Sequence, residues 1–281
     1  MRIAIASGKG GTGKTLVATS LAWWLAQRGT PVTYVDADVE EPNGHLFLHP
    51  EPVGERRVPI LIPAVDASRC THCAICQTTC AFHALLVMPT HWMIFEELCH
   101  SCGACVAACP ERALSEKKVE IGTLRLGQAD GLEVLTGVLD VGQARATPVI
   151  EATVASAPKE RLRVVDCPPG TSCSAVASVR GADLVILVTE PTPFGLHDLE
   201  LAVRMCQALD LEVAAVINRA DLGDEAVREF LEEEDIPLLG TLSFDPHLAK
   251  AIAKGQLAVK ASSEVRSLMS SILDYLTEEA P

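Results

Sequence analysis

The segment Gly8-Lys9-Gly10-Gly11-Thr12-Gly13-Lys14-Thr15 narrows what this chain can fold into more than any other. It fills every set position of the pattern G-x-x-x-x-G-K-[ST], which works only between a buried strand and the N-terminus of a helix. Both flanks agree. Ile3-Ala4-Ile5-Ala6 reads as a buried strand, and Leu16 to Gln27, rich in Ala, Leu and Trp, reads as a helix. Glycines let successive backbone N–H groups turn inward around phosphate oxygens, and the helix adds the positive end of its dipole. The phosphate site is expected to use Gly8, Gly10, Gly11, Thr12 and Gly13, with Lys14 reaching the β- and γ-phosphates and Thr15 offering its hydroxyl to Mg²⁺.

With 281 residues, the chain has room for one large α/β domain or two smaller ones, and 48% hydrophobic residues suffice for a core. A net charge of −14 without a basic stripe argues against a nucleic-acid surface. No apolar run approaches the length of a membrane span. Met1-Arg2 leads directly into the first strand with no room for a signal peptide, so the expected location is the cytoplasm.

Eight of the eleven cysteines lie between Cys70 and Cys109, a distribution that points to metal rather than disulfides. They form two runs of one pattern, Cys70-x2-Cys73-x2-Cys76-x3-Cys80 and Cys99-x2-Cys102-x2-Cys105-x3-Cys109-Pro110, twenty-nine residues apart. This is the spacing of bacterial two-cluster ferredoxins, in which the fourth cysteine of each run serves the other cluster. One [4Fe–4S] cluster is therefore expected on Cys70, Cys73, Cys76 and Cys109, and a second on Cys99, Cys102, Cys105 and Cys80. Structural zinc is the weaker alternative, because zinc sites pair two well-separated C-x2-C knuckles. Ala81 stands where the first run would usually carry Pro, at a position that shapes the loop without ligating. His72 and His100, inside the cluster loops, are expected to face solvent or tune potential rather than ligate.

Elsewhere strands and helices alternate. Val32 to Val35 predicts a strand running into Asp36-Ala37-Asp38, and Leu162 to Val165 another running into Asp166-Cys167-Pro168-Pro169-Gly170. Carboxylates at the C-terminal ends of parallel strands sit where α/β sheets bind ligands. The second arrangement is that of an aspartate holding Mg²⁺ through water. Val119 to Ile121, Thr123 to Leu126 and Leu132 to Leu135 read as short strands separated by glycines. A helix is expected to open after Thr147, and later strand–helix pairs include Leu184 to Val188, a helix from about Leu196, and Glu212 to Ile217. The predicted fold class is α/β, a mostly parallel sheet with helices on both faces, plus an inserted small α+β ferredoxin-like unit. The expected divisions are 1–60 and 118–281 for the nucleotide domain and 61–117 for the insert.

The extra lysine, Lys9, makes the loop resemble the deviant Walker A loop of the MinD/ParA/Mrp superfamily, the class that includes the nitrogenase iron protein. Asp36 to Asn43 resembles switch I of that family and Asp166-x-Pro-Pro-Gly resembles switch II, so the resemblance covers nearly the whole chain, with a ferredoxin inserted. It implies a slow, dimer-dependent, Mg²⁺-requiring ATPase. Lys9 would reach the phosphates of the other subunit, Asp38 would position the attacking water, and Asp36 and Asp166 would attend Mg²⁺. Pro168, Pro169 and Gly170 would form the γ-phosphate switch, with the Gly170 N–H near the phosphate. Asn218 would recognise adenine, and Phe244-Asp245-Pro246 would contact the purine. The implied partners are a second copy of the chain and a redox or metallocofactor-assembly protein.

Three functions follow as expectations. The first is nucleotide-gated electron transfer from the two clusters to a partner. The second is an Mrp-like cluster assembly or carrier ATPase, and the third a positioning ATPase like MinD or ParA. The acidic helix from Ser263 to Glu279 gives little support for membrane targeting. Cys206 is expected in the core, whereas an intersubunit metal site on Cys167 and Cys173 stays open.

Overall fold

The computed structural model describes residues 1–278, so Glu279, the last residue of the expected C-terminal helix, lies outside the described residues. The strands are β1 (Arg2–Ala6), β2 (Val32–Asp36), β3 (Glu51–Val65), β4 (Leu85–Val87), β5 (Trp92–Ile94), β6 (Leu114–Ala129), β7 (Leu132–Leu139), β8 (Leu162–Asp166), β9 (Leu184–Thr189), β10 (Val213–Asn218) and β11 (Leu238–Leu242). Nine of them form one sheet in the order β11-β10-β9-β1-β8-β2-β7-β6-β3. From β11 to β7 neighbouring strands run parallel, while β6 and β3 are added antiparallel at one edge.

The sheet is buried on both faces because its strands alternate between two cores. Ile3, Ile5, Tyr34 and Val164 pack with the helices Lys14–Ala26 and Ser263–Glu278. Ala4, Ala6, Val35 and Val165 point the other way, toward the helices Ala146–Ser156, Pro193–Ala208 and Ala226–Glu233. All five residues of β1 are buried, and Ile3–Ala6 is the apolar run typical of a central parallel strand. Each fully buried Leu or Ile contributes roughly 1.5–3 kcal/mol, so this two-sided core is the main source of stability.

The edge of the sheet differs from the expected run of short strands. β6 is a single strand of 16 residues, with Gly122 and Gly127 inside it. Neither glycine is a breaker. A Cβ on Gly122 would come within 2.8 Å of Val149 on the helix Ala146–Ser156, and one on Gly127 within 2.8 Å of Pro50. These positions are glycine because another segment packs against the strand there.

β3 and β6 stay paired from Glu51 opposite Gln128 to Val65 opposite Leu114. Only Gly122–Ala129 of β6 also pairs with β7, so the remainder of the ladder extends past the sheet as a two-stranded arm. The composition change near residues 61 and 117 falls inside this ladder, where Leu61 pairs with Lys118 and Ile62 with Lys117. Pro52, Pro59 and Pro63 are tolerated because β3 is the edge strand. Residues 66–113, between the two strands, carry the β4–β5 hairpin and the short helices Ile75–Thr79 and Ala104–Ala107.

Candidate functional site

The glycine-rich loop lies between β1 and the helix Lys14–Ala26, at the C-terminal end of the parallel strands. Its glycines have different reasons to be glycine. A Cβ on Gly8 would overlap the backbone of Asp198, so that position admits no side chain. Gly13, at φ +104°, caps the helix, and its missing Cβ leaves room for Asn218. Gly10 and Gly11 face open space, with no atom within 4 Å of an added Cβ. That space belongs to a cleft lined by Gly13, Lys14, Thr15, Asp38, Pro169, Asn218, Phe244 and Asp245. The two stretches expected at the purine thus meet the phosphate loop in one cleft.

Asp36 and Asp166 are neighbours across β2 and β8 and are essentially fully buried. One oxygen of each is satisfied. Gly44 N–H donates to Asp36 Oδ2 at 2.9 Å, and Tyr34 Oη donates to Asp166 Oδ2 at 3.0 Å. The other oxygen of each has no protein partner. Burial, and then the neighbouring Asp166 charge, push the Asp36 carboxyl well above its ordinary range. Burial raises Asp166 to about 6, against the opposing pull of the Thr15 hydroxyl and the Lys14 ammonium. Two buried carboxylates with free oxygens beside a phosphate cradle fit a hydrated Mg²⁺, which takes few protein ligands and completes its shell with water and phosphate oxygens. Asp38, half-buried at the cleft, is raised mainly by burial and drawn down by Lys14.

Three expected residues have partners that the sequence does not reveal. Lys9 Nζ lies 3.1 Å from Glu190 Oε2 in the same chain, and Arg219 Nη1 lies 2.6 Å from Glu190 Oε1. Asn218 Nδ2 donates to the Thr12 carbonyl at 2.8 Å and its Oδ1 accepts from Arg219 N–H, so the amide braces the loop. One amide hydrogen and one lone pair remain for a ligand. The Gly170 N–H, expected near the γ-phosphate, instead donates to the Ser7 carbonyl at 2.9 Å, which ties the Pro168–Gly170 segment to the loop. Tyr34, Gly44 and Glu190 were missed by sequence reasoning. Tyr34 carried a signal, since a tyrosine in an apolar strand needs a buried partner for its hydroxyl.

The cysteine unit shows the twenty-nine-residue repeat in its backbone. His72 and Ser101, Ala74 and Gly103, and His83 and Arg112 all have positive φ, each pair twenty-nine residues apart. Cys80 Sγ accepts from Ala84 N–H and Cys109 Sγ from Ala113 N–H, both at 3.3 Å. One cavity is lined by Cys70, Cys73, Cys76 and Cys109, and a second by Cys80, Cys99, Cys102 and Cys105. No group of three His, Cys, Asp or Glu among the described residues converges tightly enough for a single ion. Four thiols around each cavity, with N–H groups aimed at sulfur, fit a cubane, whose four irons hold their ligands apart. Burial pushes the equivalent thiols Cys76 and Cys105 up. Iron would have to displace those protons.

The histidines of the two loops differ. His100 stacks on Phe82 with ring centroids 3.6 Å apart. His72 lines the first cavity, and both its ring nitrogens are buried without a partner, so it does not face solvent. Cys206 is fully buried in the core. Cys167 is also fully buried, with its thiol pushed up by burial to about 12, whereas Cys173 is exposed.

Comparison with known proteins gives the chain a family. The family model described as the CobQ/CobB/MinD/ParA nucleotide binding domain matches residues 3–259. The chain belongs to this family. An uncharacterised Methanocaldococcus jannaschii protein is 25% identical over 285 residues, covering 98% of this chain and 97% of that protein. A Pyrococcus furiosus iron-sulfur cluster carrier protein is 25% identical over 266 residues, covering 87% and 74% respectively. The Pyrococcus horikoshii septum site-determining protein MinD, solved with Mg-ADP, superposes with a TM-score of 0.61 at 21% identity, covering 98% of this chain and 96% of that one. The CobQ/CobB/MinD/ParA member therefore has the α/β sheet of MinD, mostly parallel and flanked by helices.

Proposed function

We propose that this chain is an Mg²⁺-dependent ATPase carrying a two-cluster ferredoxin insert, and that nucleotide state in a homodimer gates electron transfer from the clusters to a redox or metallocofactor-assembly partner. The observation that carries this reading is the continuity of the chain. The segment holding Asp36 and Asp38 passes through Gly44 and the short helix His45–Leu48 into β3, whose ladder with β6 runs on to the cysteine unit with register shifts at Pro52–Gly54 and Val58–Pro59.

The loop N–H groups and Lys14 hold the phosphates, and Asp38 orients a water against the γ-phosphorus. The water oxygen forms the new bond to phosphorus as the bond to the bridging oxygen breaks, ADP leaves, and the water's proton passes to the released phosphate. Lys9 leaves Glu190 and crosses to the second copy, adding positive charge where the γ-phosphate becomes most negative. Asn218 and the Phe244–Asp245 segment hold the purine. When bound, Mg²⁺ neutralises phosphate charge and the two clusters supply single electrons. Loss of the γ-phosphate frees switch I and switch II, a recognised way of turning hydrolysis into movement.

The test is the rate at which a one-electron acceptor oxidises the reduced, reconstituted protein with ATP, with ADP and without nucleotide. Gating requires those rates to differ, and equal rates would sink it. The carrier reading draws on the name of the Pyrococcus furiosus relative. It is favoured instead if radiolabelled iron passes from the protein to an apo-acceptor.

A further inference from the structure

We propose that Arg145 is the positioning residue through which the nucleotide site acts on the cysteine unit, and that it acts on the second cysteine set alone. This rests on the reading that Cys80, Cys99, Cys102 and Cys105 hold a cluster. Arg145 occupies the N-cap position of the helix Ala146–Ser156. Its Nη1 donates to the carbonyls of Glu96 at 2.9 Å and Cys99 at 3.1 Å, and its Nη2 to Gln143 Oε1 at 2.9 Å. A residue of the nucleotide domain thereby holds the backbone of an expected cluster ligand. The far end of the same helix is tied to the edge strand β3 where it still belongs to the sheet, Arg56 Nη2 donating to Ser156 Oγ at 2.7 Å.

The other side of this helix leads to switch II. It packs on the helix Cys173–Val179, which starts three residues beyond Gly170, and Gly170 is bonded to Ser7 beside the phosphate loop. The connection therefore runs from the loop through Gly170 and two packed helices to Arg145 and Cys99. Packed helices shift as units rather than deforming smoothly, so displacement of switch II would move the guanidinium relative to two carbonyls.

Among the described residues the first set has no such link. Its nearby cation, Arg69, donates to the Glu111 carbonyl at 2.9 Å, a bond wholly within the insert. The second set also adjoins the nucleotide domain more closely, since Cys99 and Ala84 belong to the same core cluster as Val149 and Ile150 of the helix. Of the other charges near Cys99, the Glu96 carboxylate is paired with Lys117 at 2.9 Å. The Glu116 carboxylate also lines the cavity of the second set, so the guanidinium is distinguished by its link to the nucleotide domain and not by being the sole charge at the cluster. A fixed positive charge there favours the reduced, more negative cluster and raises its potential; charge and hydrogen bonding are the means by which protein tunes such groups.

The experiment is a potentiometric titration of the reconstituted full chain, followed by electron paramagnetic resonance, with ATP analogue, with ADP and without nucleotide. In the wild type, one cluster's potential should move with nucleotide and the other should not. The moving signal should be the one altered by Cys99→Ser and spared by Cys70→Ser. Arg145→Gln should lower that potential and abolish its nucleotide dependence, with ATP affinity unchanged within about twofold. Arg145→Lys should restore most of the static potential but not the nucleotide response, because an ammonium cannot hold both carbonyls in the fork geometry of a guanidinium. If Arg145→Gln leaves the nucleotide response intact, or the moving signal belongs to the Cys70 set, the inference fails while the proposed function stands. If the wild type binds no four-iron clusters, the proposed function itself fails.

Discussion

Asp166 sits in the sheet at a cost. Its buried carboxyl has a pKa near 6, above that of an unfolded aspartate, so the folded chain holds a proton that the unfolded chain releases. Stability from this group is fully present below about pH 4 and is lost as pH rises to about 6. Above that the penalty is constant, on the order of 1–3 kcal/mol. Asp166→Asn removes the charge and still accepts from Tyr34. Without nucleotide or Mg²⁺, it should therefore be more stable than wild type at pH 8, with the gain shrinking toward pH 4. Denaturant melts across that range check this, and equal stability at pH 8 would overturn it. Asp38→Ala acts on chemistry instead. It should keep ATP binding while slowing hydrolysis by about 100-fold or more, read as ATP retained on the purified protein. A wild-type rate would reassign the water-positioning role.

Among the elements, the helix Ala146–Ser156 depends on a glycine opposite it. Gly122→Ala would drive a methyl into Val149 and the Val138 carbonyl, forcing the helix off β6 at a cost of about 1–3 kcal/mol. The φ of Gly122 is not in the left-handed region, so the penalty is one of space and not of backbone strain. Pairing with Val149→Ala should recover part of the loss, which a double-mutant cycle of unfolding free energies measures. This element was only partly legible beforehand. A helix is expected to open after Thr147 and opens just before it, at Ala146, but Gly122 and Gly127 looked like strand breakers, because a glycine that punctuates a chain and one that admits a neighbour are identical in sequence. The same limit applies to β3 and β6. Composition changes near residues 61 and 117, whereas the hydrogen-bond ladder, which responds to pairing and not to composition, runs through both points.

For the whole molecule, the crossed assignment of the fourth cysteines gives a sharp expectation. Cys109→Ser should perturb the same cluster signal as Cys70→Ser, and Cys80→Ser the same signal as Cys99→Ser, with iron falling from about eight per chain toward four in each case. ATP affinity should change little, since none of the eight cysteines lines the nucleotide cleft. If Cys109→Ser instead resembled Cys99→Ser, each run would bind its own cluster. Local chemistry was determined by sequence alone. A phosphate loop, strand-end aspartates and two cysteine runs are patterns of near neighbours, and chain geometry over a few residues dictates what they can bind. Tertiary structure alone decided the rest. Lys9 meets Glu190, Asn218 braces Thr12, Tyr34 supports Asp166, and Arg145 grips Cys99. Each contact joins segments far apart in the chain, and its energy depends on a distance and an orientation that only the packed sheet and helices set.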